Sequence, residues 1–367
     1  MISRRRFLAQ AAGLGAGLVA ADRLSGQQRP GPATNPATDL PSLRELVTPA
    51  TQSAINRGLD YLARQQAADG SWGERQYRGN VAVTSLAALA LMAGGHQPGR
   101  GQYGEAVARA LNYVLGREAR QPAGFLYNPA FGQTGPMYSH GFGTLFLAEL
   151  HGMVPDRVVR VRLRETLARA VQLIVATQND EGGWRYQPEP RQADISVTIC
   201  QIMALRAARN VGLYVPQQTV DRCVRYVREC QTADGGFSYV PRFGPSAFAR
   251  SAAGVVALFC AGIYTGREVE RGIRYLQQYR PGQLQARRDI PESHYYYGHY
   301  YAAQAMWTVG GSAWANWFPA IREELLQRAN TNPQGVWQDV TTCDTYATAM
   351  ATIILQIPNN YLPILQK

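Results

Sequence analysis

Apolar positions along this chain follow a recurring two-part pattern. First comes a segment with apolar residues three and four apart, as with Ile55, Leu59 and Leu62, which predicts a helix with one buried face. It ends in a glutamine, a glycine and an aromatic residue. A short polar loop follows, then a polar residue opens a second, apolar helix that stops at glycine. The clearest version lies between Leu173 and Thr198. There an apolar segment runs into Gln178, Gly182 and Trp184, and Asp194 opens the next helix with Thr198 one turn in.

Versions of this unit fill most of the chain. The first has Gln66, Gly70 and Trp72, then Asn80 opening an apolar helix through Leu86, Leu89 and Met92. The second keeps only Gly124-Phe125, and its second helix opens at His140. The fourth has Gln231, Gly235 and Phe237, with Arg250 opening its second helix. The fifth has Pro281-Gly282 in the turn and opens at His299. The sixth has Gly335 and Trp337 and opens at Asp344. The marker glycines Gly70, Gly124, Gly182, Gly235, Gly282 and Gly335 are separated by 54, 58, 53, 47 and 53 residues. Six helix pairs at a near-constant period predict a repeat architecture. Glycine after most of the second helices fits a left-handed cap. Four residues on from Asn80, His140, Asp194 and Asp344 stand Thr84, Thr144, Thr198 and Thr348, and the same step from Arg250 and His299 gives Gly254 and Ala303. Small residues at one depth suit crowded, parallel inner helices inside an outer ring.

The unit resembles the repeat of the squalene cyclases, on the residues from Tyr61-Leu62 through Gln66 and Gly70 to Trp72. The β subunits of protein prenyltransferases share the helical toroid. The likeness covers residues from about 54 to 357. It implies an all-α fold, an (α/α)6 toroid with a central apolar pocket. Gln66, Trp72, Gln178, Trp184, Gln231 and Phe237 are then structural ties between repeats, without chemistry.

Parallel inner helices would open all their N-termini on one face, where unpaired N–H groups and helix dipoles make an electropositive ring. Asn80, His140, Asp194, Arg250, His299 and Asp344 are the expected members, with His140 opposite His299 and Asp194 opposite Asp344. Asp194, His299 and His140 are the candidate catalytic residues. Tyr297 and Tyr300 belong to an aromatic run, Tyr295 to Tyr301 with Trp307, that suits the wall of an apolar pocket. Phe125, Tyr127, Phe131, Tyr138 and Phe142 are candidates for the opposite wall. The alternative for Asp194 is a plain helix cap on the N–H of Val197.

Against the family, the chain departs at the chemistry. Squalene–hopene cyclases carry Asp-x-Asp-Asp, whose middle acid protonates the substrate. The matching residues here are Arg191-Gln192-Ala193-Asp194, so alanine stands at the donor position and cyclisation by that route is not expected. Prenyltransferases hold zinc with Asp-x-Cys and a later histidine. Here Cys343 and Asp344 are adjacent and His294 and His299 precede them, so the zinc pattern is not met. A zinc site drawn from His140, His299, Cys343 or Asp344 is the remaining metal alternative. The expected ligand is an apolar, isoprenoid-like molecule or lipid. A cyclase or prenyltransferase with a rearranged site, and a glycan-binding or structural toroid, are the alternatives.

Composition and charge narrow the partners. The net charge is +11, Lys367 is the only lysine, and the arginines are scattered, without the basic stripe of a nucleic-acid surface. The five cysteines are odd in number with no Cys-x-x-Cys, which argues against a disulfide framework. At the start, Ser3-Arg4-Arg5-Arg6-Phe7-Leu8 and the Gly/Ala-rich run after it resemble a twin-arginine export signal, predicted over residues 1–24. A flexible Pro/Gly-rich linker is expected over 25–48 and the toroid over 49–367, in the periplasm or outside the cell.

Overall fold

The computed structural model describes residues 43–130, 135–283, 288–332 and 334–366. The expected signal and most of the expected linker lie outside these residues. Leu43–Leu46 at the linker's end forms a short helix, α1, with Leu46 buried. Six helix pairs follow: α2 Pro49–Gln65 with α3 Val81–Ala93, α4 Gly104–Leu115 with α5 Pro136–Leu150, α6 Arg157–Ala176 with α7 Ile195–Asn210, α8 Gln217–Glu229 with α9 Phe248–Cys260, α10 Arg267–Gln277 with α11 Tyr295–Val309, and α12 Gly311–Asn330 with α13 Asp344–Gln356. The described residues contain isolated β-bridges but no strand. None of their helices is long and apolar enough to cross a membrane.

The odd-numbered helices from α3 to α13 pack side by side, and α13 returns to α3, which closes an inner ring. The even-numbered helices lie outside it. This is the (α/α)6 toroid. The two layers differ in pattern for a physical reason. An outer helix such as α10 buries one face, Val269, Gly272, Ile273, Tyr275 and Leu276, and turns the other towards solvent. An inner helix is enclosed on every side: in α3 every residue but Ala82 is buried.

The turn between each outer and inner helix is where the repeats are tied. The Gln178 amide donates to the Gly182 carbonyl at 2.9 Å and to Thr219 in the next outer helix at 2.9 Å. Gln66 and Gln231 make the same pair of bonds, to Gly70 and Ala106 and to Gly235 and Glu268. The indole N–H of Trp184 donates to Ile174 at the end of its own outer helix, as Trp72 does to Leu62 and Trp337 to Leu325. The turn's backbone then meets the inner helix: Thr198 Oγ1 accepts from the Trp184 N–H at 3.1 Å, and Thr84 Oγ1 from Trp72 at 3.0 Å. Gly182 is held at φ +102°, and a β-carbon there would lie 2.1 Å from the Arg222 carbonyl oxygen, so only glycine allows the turn to seat on the next helix. In the second repeat Glu118 substitutes for the glutamine, receiving Thr166 at 2.8 Å and pairing with Arg169.

The same turn contacts show where three inner helices begin. The Leu126 N–H donates to His140 Nδ1 at 3.2 Å, the bond that Thr84 and Thr198 accept elsewhere, and Ser251 accepts from Phe237 at 2.8 Å. His140, Arg250 and His299 therefore do not open their helices. α5 starts at Pro136, α9 at Phe248 and α11 at Tyr295. A buried donor in the turn needs an acceptor one turn into the next helix, and either a hydroxyl or an imidazole serves.

At the end opposite these turns the chain folds back under the inner ring. The indole of Trp307 donates to Leu365 at 2.8 Å, and the Ile364 N–H to buried Glu149 at 3.1 Å. Burial pushes the Glu149 carboxyl up to about 8, so it is held protonated at neutral pH. All five cysteines are free thiols.

Replacing Gln178 with alanine leaves two buried carbonyls without their donor. Urea unfolding is expected to show a loss of about 1–3 kcal/mol.

Candidate functional site

A cavity of about 350 Å³ opens where the inner helices begin. Its walls come from the first turns of α3, α5, α7, α11 and α13 and from the turns that precede them. Depth follows from helix rise, about 1.5 Å per residue. Asn80, which caps α3, and Ser196, the second residue of α7, stand at the rim. Leu86, Phe142 and Met350, the sixth or seventh residues of their helices, form the floor with Val83. Between rim and floor stand six tyrosines: Tyr77, Tyr138, Tyr186, Tyr239, Tyr297 and Tyr346. Burial raises the phenols of Tyr138, Tyr297 and Tyr346 well above their ordinary value, so they are neutral donors and acceptors. Among the described residues the lining contains no carboxylate, arginine or lysine, and its one histidine, His294, is exposed. The site is an apolar bowl with a hydroxylated rim.

The rim is rigid. Tyr297 donates to the Ser196 carbonyl at 2.8 Å, and the Tyr186 and Tyr239 hydroxyls meet at 2.5 Å. Asp194 lies behind this wall, fully buried. Its Oδ1 accepts from the N–H groups of Ser196 and Val197, both at 2.9 Å, and from the Ser196 hydroxyl at 2.5 Å. With its proton committed to Asp194, the Ser196 oxygen accepts from Tyr138 at 2.7 Å. A hydrogen-bonded line thus joins the buried carboxylate to a phenol facing the cavity. Asp194 Oδ2 has no hydrogen bond of acceptable geometry, although the Tyr239 hydroxyl lies close enough to favour the charged form. Burial outweighs these donors and raises the Asp194 carboxyl above its ordinary value.

Of the residues singled out from sequence, Asn80 and Tyr297 line the cavity together, with Asp194 one hydrogen bond behind them. The others stand elsewhere. His140 points outward, its Nε2 donating to Ala170 in α6 at 3.2 Å, so the ring is neutral and fully bonded; burial lowers its pKa to about 4. His299 also faces outward, into a hollow with Glu292, Tyr295, Glu324 and Arg328. Burial, with the nearby Arg328 charge, lowers it to about 3. The two histidines therefore do not face each other across the opening. Both sit one turn inside their helices, on the side turned to the outer layer. Arg250 is bonded to the Pro245 carbonyl at 2.8 Å, away from the bowl. Asp344 receives the Asp339 N–H at 3.1 Å and lines a separate shallow hollow with Tyr61 and Glu74. Tyr300 is buried edge-on against Phe142 beneath the floor.

On the opposite wall, Tyr138 and Phe142 line the bowl. Phe125 instead packs on His140 with Tyr127 stacked against it, and Phe131 lies outside the described residues. His140 and His299 stand apart from each other and from the adjacent Cys343 and Asp344, and no three His, Cys, Asp or Glu side chains among the described residues form a group that could hold a metal ion. Tyr186 and Tyr239 were not among the candidates. Each stands two residues after its turn aromatic, Trp184 or Phe237, and that spacing was the available signal.

Comparison with known proteins agrees with this architecture. The family described as the prenyltransferase alpha-alpha toroid domain matches residues 127–283. A drimenyl diphosphate synthase of Streptomyces showdoensis is 28% identical over 204 residues, 55% of this chain and 35% of that protein. Another, from Streptantibioticus cattleyicolor, is 32% identical over 102 residues, 28% of this chain and 19% of that protein. The chain thus matches about a third or less of the length of these curated relatives. Among solved structures, the type II terpene cyclase MstE from Scytonema superposes with a TM-score of 0.57 at 16% identity, covering 85% of this chain and 99% of that one. A glycosidase in complex with glucose superposes with a TM-score of 0.59 at 13% identity, covering 88% and 100%. At such identities these structures establish the fold alone. The chain resembles the terpenoid cyclase-like α/α toroids, the group of the squalene cyclase and prenyltransferase repeats, and shares their fold.

His140 gives the site's surroundings a pH signature. Its native pKa is lowered, so its contribution is present above about 6.5 and is lost as pH falls towards about 4, because the unfolded chain takes up a proton that the native one refuses. This component amounts to about 3 kcal/mol. Urea unfolding across that range is expected to show a shallower pH slope for His140→Gln than for the wild type, with lower stability near neutral pH.

Proposed function

We propose that this toroid is an exported protein that binds an isoprenoid-like molecule in the bowl, apolar body inward and an uncharged, hydroxyl-bearing head at the tyrosine rim. The observation that carries this reading is the lining itself: Val83, Leu86, Phe142 and Met350 below, six tyrosines above, and among the described residues no formal charge to meet a diphosphate or a carboxylate. A structural neighbour, MstE, has been captured with geranylgeranyl dihydroxybenzoate as substrate, which shares the prenyl body of the proposed ligand but carries a benzoate head in place of an uncharged one. An anionic head group at the ring of Arg250 and the two histidines has no motive, since none of the three lines the bowl. Hydrolysis of glycosides uses a pair of carboxylates facing one cavity, and the described residues of the bowl include no such pair.

A second reading is favoured by one observation. Asp194, with its raised pKa and its line through Ser196 to Tyr138, is a buried acid in contact with the cavity wall. In this reading the chain is a terpenoid cyclase-type enzyme whose acid has moved from the family's donor position, now Ala193. Both readings are tested with geranylgeraniol, a neutral prenyl alcohol. Binding to the wild type and at least a tenfold loss in Leu86→Trp, which fills the floor, are expected; equal affinity in both would overturn the bowl as the site. Cyclised product from the wild type, lost in Asp194→Asn with binding intact, would establish the enzyme reading, and no product from the wild type would remove it.

Export rests on Arg4 and Arg5 ahead of Phe7-Leu8. Changing both arginines to lysine is expected to hold the full-length chain in the cytoplasm on cell fractionation. Unchanged export would sink this part of the proposal.

A further inference from the structure

The turns and the bowl occupy one end of the toroid. The opposite end, where the inner helices finish, has its own hollow of about 330 Å³. Three adjacent inner helices, α7, α9 and α11, wall it with Met203, Val256, Phe259 and Trp307, and Leu365 of the returning chain closes it. Beside it lies a second hollow of about 390 Å³ with polar walls, Arg206, Arg209, Asn210 and Gln217. The two share Arg206, Cys260 and Tyr264, so they meet along one edge. One compartment is apolar and the other carries two guanidinium groups.

Arg206 is fixed at that edge. It donates to the Phe259 carbonyl at 2.7 Å and to the Tyr264 hydroxyl, and its guanidinium stands 5.6 Å from the Tyr264 ring centroid. This leaves further N–H donors turned to the polar compartment. Arg209 is exposed, and Asp221 of α8 receives the Gln217 amide at 2.9 Å. The helix C-termini at this end disfavour an anion, and the two arginines oppose that field. The surroundings are unusually apolar for a surface. Among the described residues, six of the eight exposed large hydrophobics, Val158, Val161, Tyr214, Tyr264, Val309 and Tyr361, lie at this end, and Tyr214 is 83% exposed.

From this pairing we propose a second ligand site, for an amphiphile with one apolar chain and an anionic head group. The chain enters the Val256–Phe259–Trp307 hollow and the head pairs with Arg206 and Arg209. The site is separate from the bowl and takes a charged head, where the bowl takes a neutral one. The amphiphile reaches it either free in solution or from an anionic membrane surface against which the apolar loops rest.

The test uses the full toroid and a dibrominated fatty acid, whose bromines quench indole fluorescence on contact. Quenching is expected in the wild type and is largely lost in Trp307→Phe. Affinity should fall about tenfold in Val256→Trp and several-fold in Arg209→Gln, an exposed position where folding is not at stake. A neutral alcohol of the same chain should bind the wild type and Arg209→Gln alike, and Leu86→Trp at the bowl should leave fatty-acid binding unchanged. Co-sedimentation with phosphatidylglycerol vesicles but not phosphatidylcholine vesicles would assign the membrane as source, and binding of the free acid without sedimentation would assign a soluble amphiphile. Absence of quenching, or quenching that persists in Trp307→Phe, overturns the site. Loss of binding in Leu86→Trp would instead move the ligand to the bowl.

Discussion

Burying the turn between two helices is the constraint on which this fold depends. A turn exposes peptide groups that have lost their helical partners, and in a closed ring most of these turns are pressed against the next outer helix. Each donor and acceptor must then be met by protein. Gln66, Gln178 and Gln231 do this with a single amide that reaches two carbonyls, one in its own turn and one in the following repeat. Thr84, Thr198, Ser251 and His140 meet the N–H on the other side. The ring closes by the same means: the last turn, at Gly335, seats against Arg57 of the first outer helix.

That constraint also positions the cavity. Because every tied turn lies at one end, the inner helices begin together, and the residues just inside those beginnings converge. The bowl is therefore a by-product of how the turns are satisfied, and its chemistry is set by whichever side chains are left over. Asn80 and Asp194 are spent on capping, and His140 on a turn. What remains to face the hollow is a set of neutral phenols and hydroxyls above aliphatic and aromatic carbon. This arrangement holds an amphipathic molecule without charge pairing, and it keeps the one buried acid, Asp194, at a single hydroxyl's remove from the cavity wall.

The two ends of the toroid are not equivalent. The turn end is densely hydrogen-bonded and opens on a neutral bowl. The far end is made of short loops with exposed tyrosine and valine, arginines, and a returning chain segment held by Trp307 and a protonated Glu149. Inner helices with a common direction make this asymmetry unavoidable, since one end collects all their N-termini and the other all their C-termini.

From the residues alone, the period of the glycines, the pairing of amphipathic with apolar segments and the glutamine–aromatic turns determined the all-α toroid and its six repeats. These features are local in sequence, and each repeat carries its own copy. Which side chains face the hollow was decided only in three dimensions. A polar residue near the start of an inner helix can cap it, serve the preceding turn or line the cavity, and one or two residues of register choose among the three. Asn80 and Asp194 stand at true helix starts. His140 and His299 are the fifth residues of their helices, five steps past the cap position, and at about 100° per residue this is a turn plus roughly 140°, enough to carry an imidazole from the mouth to the outer layer.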